Sequence, residues 1–396
     1  MTRDQALAIL ADFMAPLSLD QFFRAFGREV VTSCGGSGQH RARIFGPRPK
    51  ETVLNAFGSH SANLEHHSPA PNAPPPPLQE AESDADFLSL IRAYHQRGYT
   101  VRVPDVVPLS PPLQQISRAI ECLLHQPASG ALFWSYAGAK AQVHYDHRDN
   151  LVVQLEGRKR WFISTETPGL YNDWMQLGAP PTELRDHFII DVEPGDIIYV
   201  PRGTSHSVES TTESLHVALL FNPVTVREML IAAIDHLSDS DRSFRETAIS
   251  PSDMNGVAAL VAKLQSSSAK LTSCCGSADF VRGAMDHRSA RAIEALPQLP
   301  RRSTGTDVDE QTSVRHAPLA VGTIRMIPNS LGFSQPGGEF AIHPGVEQEM
   351  RFIAATPEFS VGDIPGASGP EVRKALVQRL VQTGFLEVDD RQRRAG

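Results

Sequence analysis

Apolar positions follow two different periods along this chain. Up to about residue 58 they recur at helical spacing: residues 4–14 form one amphipathic stretch, and Ser18 supplies an N-cap for a helix over 19–26. A proline-rich run, 66–77, interrupts the pattern and predicts an exposed polyproline-like loop. Its two histidines, His66 and His67, are read as solvated rather than ligating. Residues 84–96 then predict a helix, 99–103 a strand and 112–124 an amphipathic helix. From 131 to about 223 the texture changes to short apolar runs broken by Gly and Pro, predicting strands at 132–136, 143–146, 151–155, 160–164, 188–192, 197–200, 207–209 and 215–221. Short strands with such turns point to a barrel or a sandwich. Helical periodicity returns over 225–237, 252–264 and 278–285, and residues 297–317 are polar and rich in Pro, Arg and Thr, as a linker would be. Residues 347–388 read as helix, short turn, helix (371–383) and strand (385–388), with no internal repeat anywhere.

Composition narrows the class. The chain has 396 residues, 41% apolar and 21% charged, which fits two or three globular domains. A formal charge of −8 argues against a general nucleic-acid binder, because phosphate neutralisation needs clustered Lys and Arg. No apolar run reaches the length that crosses a bilayer, so no membrane association is expected. The first 14 residues carry Arg3, Asp4 and Asp12 and do not resemble a secretory signal. Cys34, Cys122, Cys274 and Cys275 show no zinc spacing, and the last two are adjacent, so free thiols in a reducing cytoplasm are expected.

Candidate chemistry concentrates in the strand-rich stretch. His144-Tyr145-Asp146 is answered by His206 at the end of Pro194-Gly195-Asp196-Ile197-Ile198-Tyr199-Val200-Pro201-Arg202-Gly203-Thr204-Ser205-His206. Two imidazoles and one carboxylate are the donor set that holds a non-haem ferrous ion on one face and leaves the opposite positions open. If 143–146 is a strand, the i, i+2 spacing points His144 and Asp146 to one side. Between the two halves lies Gln154-Leu155-Glu156-Gly157-Arg158-Lys159-Arg160-Trp161, a hairpin turn and a returning strand. Alternation puts Lys159, Trp161 and Ile163 on one face and Arg160 and Phe162 on the other. Lys159 is then either part of a solvated basic hairpin or a buried ammonium that needs an anionic partner. His216 on the last strand reads as a core histidine or one orienting a ligand, His147 as no ligand, and Trp134 and Trp161 as core.

These segments, together with Ser214-Leu215-His216-Val217, resemble the JmjC-type cupin oxygenases and, within them, the ribosomal oxygenases. That resemblance implies a mixed α and β fold: a double-stranded β-helix barrel of the cupin/JmjC type with flanking helices, a helical dimerisation region and a C-terminal winged-helix domain. It divides the chain into an oxygenase domain over 1–223 with its barrel core at 131–223, a dimerisation region at 224–297, a linker at 298–320 and a winged-helix-like domain at 321–396. It implies Fe(II) bound by His144, Asp146 and His206, with 2-oxoglutarate as cosubstrate and O2 as oxidant. Family members place a Lys or Arg fifteen positions after the first metal histidine, against the far carboxylate of 2-oxoglutarate; here that residue is Lys159.

The chain departs from the family at Leu220 and Phe133, where a hydroxyl-bearing residue and a Tyr or Asn are usual. Ser135, Tyr136 or Asn222 would then complete the cosubstrate contacts. The resemblance implies hydroxylation of an Arg or His side chain of a ribosomal protein by a homodimer. The departures leave open a free amino acid, peptide or natural-product intermediate as substrate, and a non-catalytic metal-binding cupin is the third reading. Residues 347–396 hold seven basic against eight acidic side chains, a poor footprint for a DNA duplex, so protein contact is expected there instead.

Overall fold

The computed structural model describes residues 1–36, 38–55, 65–67, 83–170, 183–249, 257–300, 308–327 and 330–389. It divides into two compact units, one of Arg3–Leu123 and Ala128–Asn222, the other of Met1–Thr2, Leu124–Pro127 and Pro223–Gly396.

The first unit opens with helices α1 (Arg3–Met14) and α2 (Leu19–Arg28). Ser18 starts α2 through a capping box: its hydroxyl accepts the Gln21 N–H while the Gln21 side chain accepts the Ser18 N–H. There follow β1 (Thr32–Cys34), the short helices α3 (Gln39–Ala42) and α4 (Pro49–Asn55), β2 (Glu65–His67), α5 (Asp84–Gln96), β3 (Thr100–Val103) and α6 (Pro111–Leu124). His66 and His67 lie in β2, which pairs with β3, whereas the proline-rich residues 68–77 lie outside the described residues. Eight strands complete the unit: β4 (Ser129–Ser135), β5 (Lys140–His144), β6 (Asp149–Glu156), β7 (Lys159–Ser164), β8 (His187–Val192), β9 (Ile197–Val200), β10 (His206–Ser210) and β11 (Ser214–Phe221).

The expected closed barrel does not form. The strands make two separate antiparallel sheets, a seven-stranded one in the order β1-β9-β6-β11-β4-β3-β2 and a four-stranded one in the order β5-β10-β7-β8. Neither sheet closes on itself. The reason lies in the N-terminal segment, whose strands β1 and β3 pair with β9 and β4 and so extend the larger sheet at both ends. What joins the sheets is apolar packing of their inner faces: Val152, Ile198, Val200 and Ala218 from one meet Trp161, Ile163, Val192 and Val208 from the other.

In the second unit, Thr225 and Glu228 form a capping box that starts α7 (Val226–Ser240). It is followed by α8 (Val257–Cys275) and α9 (Ala278–Glu294). The helix expected at 252–264 begins at Val257, and residues 252–256 lie outside the described residues. The C-terminal segment differs from the expected winged-helix-like domain at 321–396. Strand β12 (Ser313–His316) lies within the expected linker. The hairpins β13 (Thr323–Ile327), β14 (Ser330–Gln335) and β15 (Gly338–Ile342) form a sheet of their own. Beyond them come α10 (Glu347–Ala355), β16 (Glu358–Ser360), α11 (Pro370–Gln382) and β17 (Leu386–Val388). The central strand of the sheet β16-β12-β17 is therefore supplied from outside the expected bounds. Val314 of β12 anchors it in a core with Phe333, Met350, Ile353, Leu380 and Phe385.

Candidate metal and cosubstrate site

His144 ends β5 and His206 begins β10, and the two are register partners across that strand pair. The His144 Nδ1–H donates to the Gln142 carbonyl at 2.8 Å, and the His206 Nδ1–H to the Thr204 carbonyl at 2.9 Å. A carbonyl can only accept, so each Nδ1 carries the proton and each Nε2 keeps its lone pair for a metal. His206 is buried; desolvation, with His144 beside it, pushes its pKa down to about 4, so it is a neutral ligand at pH 7. The ring centroids of His144 and His206 are 4.4 Å apart, and Asp146 Oδ2 stands 3.6 Å from His206 Nε2. One donor atom from each of the three lies within 4.8 Å of the others, a grouping that one cation can span.

Strand alternation is not what brings Asp146 there. Strand β5 stops at His144, and Asp146 sits in the turn to β6. Its position comes from tertiary contacts: Asn150 Nδ2 donates to its Oδ2, and its own carbonyl accepts the Gly203 N–H at 2.8 Å. The loop 201–205 that delivers His206 is tied to the same strand. Asp149 accepts the Arg202 N–H at 3.0 Å and the Tyr199 hydroxyl at 2.8 Å. Burial raises the Asp149 pKa, and those two donors hold it back. Gly203 turns the loop with φ +79°, and a Cβ there would meet the Leu170 nitrogen at 2.8 Å, so only glycine fits without moving backbone. Arg41 is buried against the preceding turn, donating through Nε to the Gly195 carbonyl at 2.6 Å. Sequence reasoning missed Asn150, Asp149 and Arg41. A visible signal for the first two was a polar pair opening an otherwise apolar run.

Lys159 is 4% exposed, on the inner face with Trp161 and Ile163, while Arg160 points out to pair with Asp191 of β8 at 2.7 Å. Its ammonium donates to Ser135 Oγ at 3.0 Å, which also accepts from Thr100 Oγ1 at 3.1 Å. Desolvation pulls the Lys159 pKa down to about 7. On β10, His206 faces Ile163 and Ser210 faces Lys159. That register separates the metal donors from the lysine backbone by about 13 Å, which the long side chain shortens. Trp161 lies between, stacked on His206 at 5.4 Å and meeting His216 edge-on at 6.1 Å.

The remaining predicted residues separate. His216 stacks on Phe133 at 4.8 Å and meets Trp161, which in turn stacks on His206. Tyr136 turns toward His95, with centroids 6.0 Å apart. Asn222 follows the end of β11 opposite to Ser214, the register partner of Ser135, so the length of the strand lies between it and Lys159. Leu220 packs into the core between the sheets. His147 is exposed against Tyr145.

The residues present fit a ferrous ion and a dicarboxylate. Two fixed Nε2 lone pairs and a carboxylate converge where β5, β10 and the turn to β6 meet. Farther along the same inner face, a desolvated ammonium has only a hydroxyl partner among the described residues. The Trp161 Nε1–H, buried between them, has no acceptor among the described residues.

Comparison with known proteins agrees with this geometry. Residues 108–229 match the family model described as the JmjC domain. That stretch is about a third of the chain, and over it the chain is similar to JmjC domains. Among curated relatives, it is 28% identical over 141 residues to ribosomal oxygenase 2 of Rattus norvegicus, covering 34% of this chain and 29% of that one. It is 29% identical over 177 residues to the uncharacterized protein YxbC of Bacillus subtilis (strain 168), covering 36% and 53%. The chain thus spans about a third to about half of the length of these relatives. The fold is that of the ribosomal oxygenase YcfD from Escherichia coli, solved with cobalt and succinic acid. That structure aligns with a TM-score of 0.55 and 12% identity, covering 94% of this chain and 99% of that one.

Proposed function

We propose that this protein is an Fe(II)- and 2-oxoglutarate-dependent oxygenase that hydroxylates a side chain, Arg or His, of a ribosomal protein. The observation that carries the reading is the convergence of His144, Asp146 and His206, with Lys159 buried on the same inner face of the sheet β5-β10-β7-β8. The names of the relatives, ribosomal oxygenases and a histidyl-hydroxylase of Drosophila persimilis among them, support the substrate class. When bound, iron and 2-oxoglutarate supply the oxidant that inserts one oxygen atom into a C–H bond. The protein's residues do the rest. His144, Asp146 and His206 would hold the ion; Asn150 and the Gly203 N–H fix Asp146, and the Gln142 and Thr204 carbonyls fix the two rings. Lys159 would neutralise the distal carboxylate, with Ser135 orienting its ammonium and the Trp161, His216 and Phe133 rings packed together beside it.

The test is succinate formation on adding Fe(II) and 2-oxoglutarate to the full chain with purified ribosomal proteins. A mass gain of one oxygen atom on a ribosomal protein is expected; gain only on a free amino acid or small metabolite overturns the substrate class. No 2-oxoglutarate dependence at all overturns the reaction.

The proposal includes a homodimer formed through α7 and α8. Val226, Leu230 and Ile234 recur along α7 at i, i+4 and i+8, and Val257, Val261 and Leu264 along α8, all exposed. Leu230→Glu with Ile234→Glu is expected to convert the dimer to monomer in light scattering. A variant of unchanged mass would exclude this face. None of the four cysteines forms a disulfide, which supports placing the protein in a reducing compartment such as the cytoplasm.

A further inference from the structure

Outside the oxygenase cleft, a second set of metal-competent side chains comes together in the unit that begins at Pro223. His236 and Asp239 stand three residues apart on α7, so both face the same side of the helix, and α9 packs against that side and adds His287. One donor atom from each of the three lies within 4.8 Å of the others. His287 Nδ1 is 3.3 Å from Asp239 Oδ2, and the His236 and His287 ring centroids are 6.2 Å apart. From this geometry we infer that His236, Asp239 and His287 form a second divalent-cation site, suited to a borderline ion of the zinc class.

Three further observations support the assignment. First, α9 carries a glycine where it meets the His236 ring: a Cβ on Gly283 would lie 2.5 Å from His236 Nε2. Glycine in mid-helix is costly, so a close approach of this kind is the physical use for it. Second, the cluster opens into a cavity of 1130 Å³, also lined by Asp279, Asp286 and Arg282, which leaves room for water or a further ligand on the ion. Third, the cation nearest the cluster is already committed elsewhere. Arg325 forms a two-pronged pair with Glu339, at 2.8 and 3.0 Å, and presents only Nη1 to the site, 3.4 Å from His287 Nδ1 and 3.9 Å from Asp239 Oδ2. On binding, the donors close to about 3.4 Å from one another, the separation set by bonds of about 2.0–2.1 Å in a tetrahedron.

The assignment does not depend on the oxygenase reading, and a background lacking the first site tests it. Full-length His144→Ala/His206→Ala protein is titrated with Zn²⁺ against a chromogenic chelator, and with Co²⁺ while its visible absorption is followed. One ion per chain is expected, with the intense absorption of low-coordinate cobalt. His236→Ala in that background is expected to weaken Zn²⁺ binding by about 100-fold, and Gly283→Ala by about tenfold or more, with no loss of thermal stability in the latter. Because His287 is buried and its replacement would disturb packing, these two variants carry the test. No stoichiometric binding in the double variant overturns the inference, as does affinity unchanged by both His236→Ala and Gly283→Ala.

Discussion

Succinate formation by a His206→Ala variant is expected to fall at least about 10³-fold, with loss of the visible absorption that 2-oxoglutarate gives when it chelates Fe(II). Among the three donors His206 is the most buried, held by the Thr204 carbonyl and stacked on Trp161. Without it the ion keeps one imidazole and one carboxylate, and Asp146 lies in a turn rather than a strand, so neither survivor compensates. Loss of several kcal/mol of metal-centred stabilisation corresponds to a factor of this size. Anaerobic titration of Fe(II) and 2-oxoglutarate, followed by the succinate assay, measures both effects. Turnover within about tenfold of the parent would remove His206 from the metal site.

Lys159→Met is expected to act in opposite directions on stability and on cosubstrate affinity. In the ligand-free protein the ammonium is desolvated with only Ser135 and the cleft around it, and its pKa falls from the ordinary 10.5 to about 7. A lysine lowered in this way destabilises the fold fully below pH 7, where both folded and unfolded states are protonated. The penalty fades as pH rises from 7 toward 10.5, because there the unfolded chain binds the extra proton and stability rises with pH. The displacement is on the order of 5 kcal/mol, so an isosteric methionine is expected to raise the melting temperature at pH 6–7. The gain shrinks at pH 9. The same change removes a charge-assisted bond to the distal carboxylate, about 2–3 kcal/mol, so the 2-oxoglutarate requirement rises roughly 30- to 150-fold. In the parent protein, binding of the dicarboxylate at pH 8 takes up close to one proton per site, and apparent affinity declines as pH rises above 7. Calorimetry in buffers of different ionisation heat reads that uptake directly. No proton uptake and an unchanged 2-oxoglutarate requirement would place the amine outside the cosubstrate site.

Both effects depend on how the inner faces of two sheets are furnished, and only part of that is legible along the chain. Alternation over 159–163 correctly separates Lys159, Trp161 and Ile163 from Arg160, since period two in a half-buried strand is a local property. An apolar run between turns locates the strand Ile197–Val200, and the reading of a helix at Asp84–Gln96 likewise meets its observed limits. Closure is different. Whether eight short strands make one barrel or two facing sheets depends on which strands occupy the edges, and here β1 and β2, far upstream, do so in the larger sheet. No local period reports that.

The metal triad shows the same division. Residue types and spacing identify His144, Asp146 and His206, because few arrangements call for two imidazoles and a carboxylate beside such turns. The route by which Asp146 arrives is not local: Asn150 and Gly203 hold it after the strand has ended. Ser135 meets Lys159 because β4 and β7 belong to sheets that face each other. Tyr136, one residue beyond β4, turns to His95, and Asn222 lies at the far end of β11. His236, Asp239 and His287 carry no motif, since two of them are separated from the third by a whole intervening helix. Strand and helix periods, the donor chemistry and the inward face of Lys159 were thus determined by the sequence itself, each being set by neighbours a few residues away. The open pairing of the sheets, the tether on Asp146, the hydroxyl partner of the lysine and the second histidine cluster were decided only in the tertiary structure, where contacts between residues distant in the chain set the geometry.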